Sequence, residues 1–160
     1  MATLGELQDH LGTLAVILWN YGAEFPVPTL DEYADTGSFG FSFSADLPGD
    51  ALPAPAMIKL SEIWVPGDLA RGLDRTEYEY DFVEHPRNRR RAFHSTQRDF
   101  YARYFGVLVH EHCEEILGAP TCRHYFGLPV TAYEAIATFT AIWGQPAPLD
   151  CADLRCMWQV

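Results

Sequence analysis

The stretch TEYEYDFVEHPRNRRRAFHS, residues 76–95, decides the fold. Tyr78, Tyr80 and Phe82 alternate with Glu77, Glu79 and Asp81, a period of two that belongs to a strand with one apolar and one polar face. His85-Pro86-Arg87-Asn88 carries turn residues, and Arg89 to Ser95 then runs back as the second strand of a hairpin. Four acids (Glu77, Glu79, Asp81, Glu84) stand against four bases (Arg87, Arg89, Arg90, Arg91), so cross-strand opposite charges help to set the register.

On the N-terminal side, Leu4, Leu7, Leu11, Leu14 and Leu18 recur at helical spacing and predict an amphipathic helix over about residues 3–20, with Asn20 and Gly22 as stop signals. Residues 23–37 read as loop. Phe39, Phe41 and Phe43 alternate with small polar residues, and Met57 to Val65 reads as a further strand after a Pro/Ala/Gly loop. On the C-terminal side, Ser95 or Thr96 can cap a short helix to Tyr104. The β-branched run after Gly106 predicts a strand over 106–114, with one continuous helix over 96–117 as the alternative. Cys122 to Leu128 predicts another strand, and Thr131 caps a helix to Trp143. Short strands without long intervening helices give an α+β domain spanning 1–160. It is an antiparallel sheet of about five to six strands, with an N-terminal and a C-terminal helix packed on it.

The composition narrows the function. The chain has 160 residues, is nearly half apolar, and has a net charge of −11. Residues 1–58 hold eight carboxylates and no Lys or Arg. Such a half repels phosphate backbones, argues against non-specific nucleic-acid binding, and suits a basic protein partner, as in an immunity protein or antitoxin. No run approaches a membrane span. The first nineteen residues carry Glu6 and Asp9 but no base, unlike a secretory leader. The expectation is a cytoplasmic protein whose four cysteines are thiols or metal ligands.

Five of the six histidines fall between residues 85 and 124, and all four cysteines lie in the His/Cys-rich part, 85–156. On a strand, His110 and His112 share a face, and so do Cys122 and His124 on the next one. A hairpin closed by 115–121 would gather these four around a metal in the tetrahedral N/S arrangement that suits zinc, with Glu111 or Glu114 as acid or base. Cys113, Cys122, Cys151 and Cys156 form a second, sulfur-only candidate set. In a helix, His110 to Glu114 would read H-E-x-x-E, which lacks the second histidine of zinc peptidases. The bland alternative has the histidines on a solvated strand face and the cysteines as small core residues.

Chemistry without metal is the remaining possibility. His110, His112 or His94 would shuttle protons, while Arg90 or Arg91 held a phosphate. An aromatic-acidic hairpin, a His-rich strand and a helix, over residues 76–130, resemble in their order the TumE-like toxins of bacterial toxin–antitoxin pairs. The resemblance rests on Tyr78, Tyr80, Asp81, His110 and His112. It implies action on RNA and assigns no catalytic role to any of them.

Overall fold

A computed structural model describes residues 2–49, 53–67, 72–95, 109–114 and 129–145 and, for the backbone alone, 122–125. Helix α1 (Leu4–Asn20) is followed by strands β1 (Asp31–Tyr33), β2 (Ser38–Leu47), β3 (Ala56–Pro66), β4 (Leu73–Glu84), β5 (Arg89–Ser95), β6 (Val109–Glu114) and β7 (Cys122–Tyr125), and then by helix α2 (Ala132–Ile142). The strands form one seven-stranded antiparallel sheet in sequence order. The expected α+β arrangement is therefore what the chain adopts. Among the described residues no helix is long and apolar enough to cross a membrane.

Both helices begin in a capping box: Thr3 with Glu6 and Thr131 with Glu134 exchange side-chain and backbone hydrogen bonds, satisfying amide groups that a helix start leaves open. Both lie on the same face of the sheet. Leu11, Leu14 and Leu18 of α1 and Ala135, Ile136 and Phe139 of α2 close over Phe41 and Phe43, Ile58 and Leu60, Tyr78, Tyr80 and Phe82, and Phe93. Phe139 stacks on Phe82 and Phe93, with ring centroids 5.5 and 5.7 Å away.

One expectation needs correction, and one alternative is decided. Residues 31–33 form edge strand β1 rather than loop; all three are exposed, so no apolar alternation betrays it. Tyr33 instead covers Gly40 of β2, where an added Cβ would come within 3.2–3.3 Å of the Tyr33 ring and hydroxyl. Residues 109–114 are a strand, as expected for this stretch, so the alternative of one continuous helix over 96–117 falls. With the short edge strand included, the expected antiparallel sheet counts seven strands. The short helix expected after Ser95 lies outside the described residues.

A β-bulge at Ile63/Trp64 pairs Ile63 with Glu77 but Trp64 with Arg75, so Thr76 is the extra residue. The bulge turns Arg75 to the helix side, where its guanidinium hydrogen-bonds the Tyr80 hydroxyl at 2.6 Å and the Val130 carbonyl at 2.8 Å. There it joins Glu62, whose side chain is wholly buried. Glu62 accepts from Tyr80, from Trp64 Nε1 at 2.9 Å and from Arg75 at 3.3 Å, and lies 3.1 Å from His10 Nε2. His10 in turn lies 2.8 Å from the Tyr133 hydroxyl, so one carboxylate ties α1, the sheet and α2 together. Burial alone would raise the Glu62 carboxyl. Hydrogen bonds from His10 and Tyr80, with the charges of His10 and Arg75, hold it below its usual range.

This hub makes a graded prediction. Glu62→Ala strands several buried donors and should destabilise the fold by about 3–5 kcal/mol. Tyr80→Phe removes two hydrogen bonds, one accepted from Arg75 and one donated to Glu62, and should cost about 1–3 kcal/mol. Urea denaturation of the two variants tests the order; equal losses would contradict Glu62 as the hub.

Candidate metal centre

The sheet register builds this site. In β5 the alternation puts Arg89, Arg91 and Phe93 on the helix side and Arg90, Ala92 and His94 on the other. Across β4, β5 and β6, residues directly opposite share a face. One row holds Glu79, His94 and His110; the next holds Asp81, Ala92 and His112; the third holds Val83, Arg90 and Glu114. Ala92 is the smallest side chain in the middle row, and larger polar groups converge around it. His94, His110 and His112 are at most 8% exposed. Their ring centroids are 4.7–5.4 Å apart, and one donor atom from each lies within 4.8 Å of the other two. A metal ion could be held there.

The neighbouring charges are fixed by Arg90. Its Nε donates to Asp81 Oδ1 at 2.6 Å and its NH1 to Glu114 Oε1 at 2.8 Å. Asp81 Oδ2 lies 3.3 Å from His94 Nε2. Burial opposes the ionised form of Asp81, but the hydrogen bond and charge of His94, then Arg90, bring its pKa down to about 2. His112 Nδ1 is 3.9 Å from Glu114 Oε1, and its buried Nε2 has no hydrogen-bond partner among the described residues. Burial, then the nearby charges of His94, His110 and Arg90, lower His112 to about 3, so the ring is neutral at pH 7. Glu79, Asp81 and His94 form a second group of closely spaced donors, of which Glu79 is the exposed edge, paired with Lys59 at 3.4 Å.

The sequence put His110 and His112 on one face, as found, but named His94 with them only as a proton shuttle and left it out of the ligand set. The signal was present: His94 has the parity of Arg90 and Ala92 in the expected hairpin, away from Phe93. Backbone register pairs Cys122 with Cys113, His124 with Glu111, Arg123 with His112 and Tyr125 with His110. The positions of Cys122 and His124 therefore belong to the rows of Cys113 and Glu111, not to those of the two histidines; their side chains lie outside the described residues. Cys151 and Cys156 also lie outside the described residues.

Glu111, expected beside the histidines, has the opposite parity. It is fully buried on the helix side and ion-paired with Arg91. Cys113 shares that side, with Sγ 4.0 Å from Glu111 Oε1. Glu114 does lie on the histidine face. Neither arginine offered for phosphate is available for it, since Arg90 bridges Asp81 and Glu114 and Arg91 is held by Glu111. The expected charge pairing within the hairpin holds for Arg87 and Arg89 with Glu84 and for Arg90 with Asp81, while Arg91 reaches across to β6 instead.

Glu111 Oε2 is buried with no hydrogen-bond partner among the described residues. Burial pushes this carboxyl from 4.5 up to about 7 in spite of Arg91. The fold then keeps a proton that the unfolded chain has released, so the contribution of Glu111 is full below pH 4.5 and is lost as pH rises to about 7. His112 acts in the opposite sense. Below pH 6.5 the unfolded chain binds a proton that the buried ring refuses, so stability is lost as pH falls toward 3. The two oppose each other between pH 4.5 and 6.5. In metal-free protein, Glu111→Gln should leave a urea midpoint that climbs with pH across this window more steeply than in wild type. An unchanged slope would mean that Glu111 ionises in the fold as it does in the free chain.

Comparison with protein-family models, with curated proteins and with solved structures gives no match, so the likeness noted for residues 76–130 has no counterpart among them.

Proposed function

We propose that this protein is a metal-binding domain in which His94, His110 and His112 hold one divalent cation of the zinc type and leave a coordination position open. One observation carries the reading: three imidazoles from adjacent strands, nearly excluded from solvent, present donor atoms within 4.8 Å of one another. Nitrogens about 2.0–2.1 Å from a tetrahedral zinc stand about 3.3 Å apart, so modest side-chain rotation closes the set. An all-nitrogen set with carboxylates nearby suits zinc, cobalt or nickel better than calcium or magnesium, which take oxygen ligands. His112 supports the reading, because a neutral ring with an unpartnered buried nitrogen is a ligand in waiting. Three protein ligands are the pattern of a catalytic rather than a closed structural zinc site. A bound zinc would supply Lewis acidity and lower the pKa of a coordinated water to about 7, so hydrolysis is the reaction class this set would serve. The metal-free phosphodiesterase alternative is weakened by Arg90 and Arg91, whose guanidinium groups are already bound to carboxylates.

Stripped protein titrated with cobalt(II) should take up one equivalent and show the visible bands of a four-coordinate site with three nitrogen ligands and one solvent position. His94→Ala and His112→Ala should each weaken uptake by more than about 100-fold with the far-ultraviolet dichroism unchanged, on the scale of losing one of three ligands. Cys113→Ser should have no effect, since its side chain lies on the helix side. No stoichiometric uptake by wild-type protein would end the proposal. A thiolate-to-cobalt charge-transfer band would bring a cysteine into the site and overturn the three-histidine set.

A further inference from the structure

Two of the three histidines have one ring nitrogen facing a carboxylate, and the two carboxylates are held by the same guanidinium. His94 Nε2 lies 3.3 Å from Asp81 Oδ2, while Asp81 Oδ1 accepts from Arg90 Nε at 2.6 Å. Arg90 NH1 donates at 2.8 Å to Glu114 Oε1, which lies 3.9 Å from His112 Nδ1. The fork of one arginine thus spans both carboxylates across β4, β5 and β6. A lysine, with a single charged nitrogen, could not hold two acceptors in this fixed geometry. All of these groups lie on the face away from the helices, and Asp81, His94, His112 and Glu114 are each at most 8% exposed.

A ring nitrogen that gives its proton to a carboxylate cannot also bind a cation. We propose that Asp81 and Glu114, locked together by Arg90, are positioning residues that decide which nitrogen of each histidine meets the ion: Nδ1 of His94 and Nε2 of His112. This rests on the three-histidine reading above and adds to it a mixed, asymmetric coordination. For His94 the assignment follows from donor chemistry. Arg90 NH2 also lies 3.5 Å from His94 Nε2, but a guanidinium can only donate. The carboxylate is closer than that and needs a proton on the same nitrogen, so the tautomer protonated at Nε2 is the one that satisfies Asp81. For His112 the support is the contrast between its nitrogens: Nδ1 lies 3.9 Å from Glu114, an ion-pair contact longer than a hydrogen bond, and Nε2 is buried with no hydrogen-bond partner among the described residues. Carboxylates behind ligating histidines fix ring orientation and raise ligand basicity, and their removal typically lowers metal affinity by about 10–100-fold.

Ring-nitrogen NMR of the zinc-loaded full chain reads the coordinated atom directly, from the proton-bearing nitrogen of each imidazole. The expected spectrum has His94 protonated at Nε2 and His112 protonated at Nδ1. Asp81→Asn should weaken zinc binding by about 10–100-fold and release the His94 tautomer while leaving that of His112 in place. Glu114→Gln should do the reverse. A role confined to stability would lower the unfolding midpoint in both variants and leave the tautomers and the affinity unmoved, which would overturn the proposal. So would a wild-type spectrum with His94 bound through Nε2. If wild-type protein takes up no zinc, the three-histidine reading fails by itself. The His94 tautomer of the metal-free protein then still reports on Asp81: Nε2 protonation that disappears in Asp81→Asn supports the positioning role, and any other result removes it.

Discussion

The register of β5 between β4 and β6 is the constraint on which the rest of the molecule depends. Successive side chains of RRRAFHS leave the strand on opposite faces, and each face is committed to a different environment. Phe93 must reach Phe139 and the apolar core; His94 must reach Asp81 and the other histidines. A slip of one residue would drive Phe93 into the imidazoles and bury His94 under α2, so the penalty falls on both faces at once. The hairpin turn enforces the alignment from one end, with Asn88 in the left-handed conformation at φ 55° closing a short turn at His85–Arg87. Ion pairs enforce it along the length: Glu84 with Arg89 on the helix side, Asp81 with Arg90 on the other.

Three of the buried polar clusters among the described residues differ in how completely their hydrogen bonds are made. Around Glu62 both carboxylate oxygens have partners from three elements, which is the condition under which a buried charge supports a fold rather than burdening it. Around Glu111 and Arg91 the accounting is incomplete, since Glu111 Oε2 and Arg91 Nε find no hydrogen-bond partner among the described residues. There the carboxyl escapes the cost of burial by holding its proton at higher pH. At the histidine cluster, the open nitrogen belongs to a ring that burial keeps neutral, and a neutral imidazole nitrogen is a metal ligand. An unmet hydrogen bond thus has different consequences at the two places because the groups differ: a carboxyl is relieved by protonation, whereas an imidazole lone pair would be relieved by a cation.

How much of this was legible in the sequence depended on how local each signal was. Leu7, Leu11, Leu14 and Leu18 of α1, the Tyr78/Tyr80/Phe82 alternation and Thr131 as a cap are read within one element, and each took its expected place, whereas Leu4 at the helix start is exposed. The histidine partnership needed the alignment of two strands separated by residues 96–108, and no periodicity states how a connection of that length will be closed. Proximity in sequence favoured Cys122 and His124, whereas His94 lay outside the dense run. The opposite parity of Glu111 was implicit once 109–114 was taken as a strand, because adjacent strand residues cannot share a face. Arg75 was beyond any pattern rule, since only the bulge between β3 and β4 brings it to Glu62. Strand β1 was missed for the opposite reason: an exposed three-residue edge has no buried face to leave a pattern.

The carboxylates on the histidine face suit a cation. Asp81 and Glu114 share one guanidinium, and Asp81 stays ionised far below neutral pH. Both are nearly buried, beside a His112 ring that is itself neutral. Imidazoles packed at steep angles to one another would have no need of such an arrangement, and an apolar set of the same volume would avoid its desolvation cost. A divalent cation at the three nitrogens would be stabilised by the field of these carboxylates, and Arg90 would then serve to keep them behind the ligands instead of letting them bind the ion themselves. Carboxylates whose burial is costly in the metal-free fold would thus attract and retain the cation that completes the site.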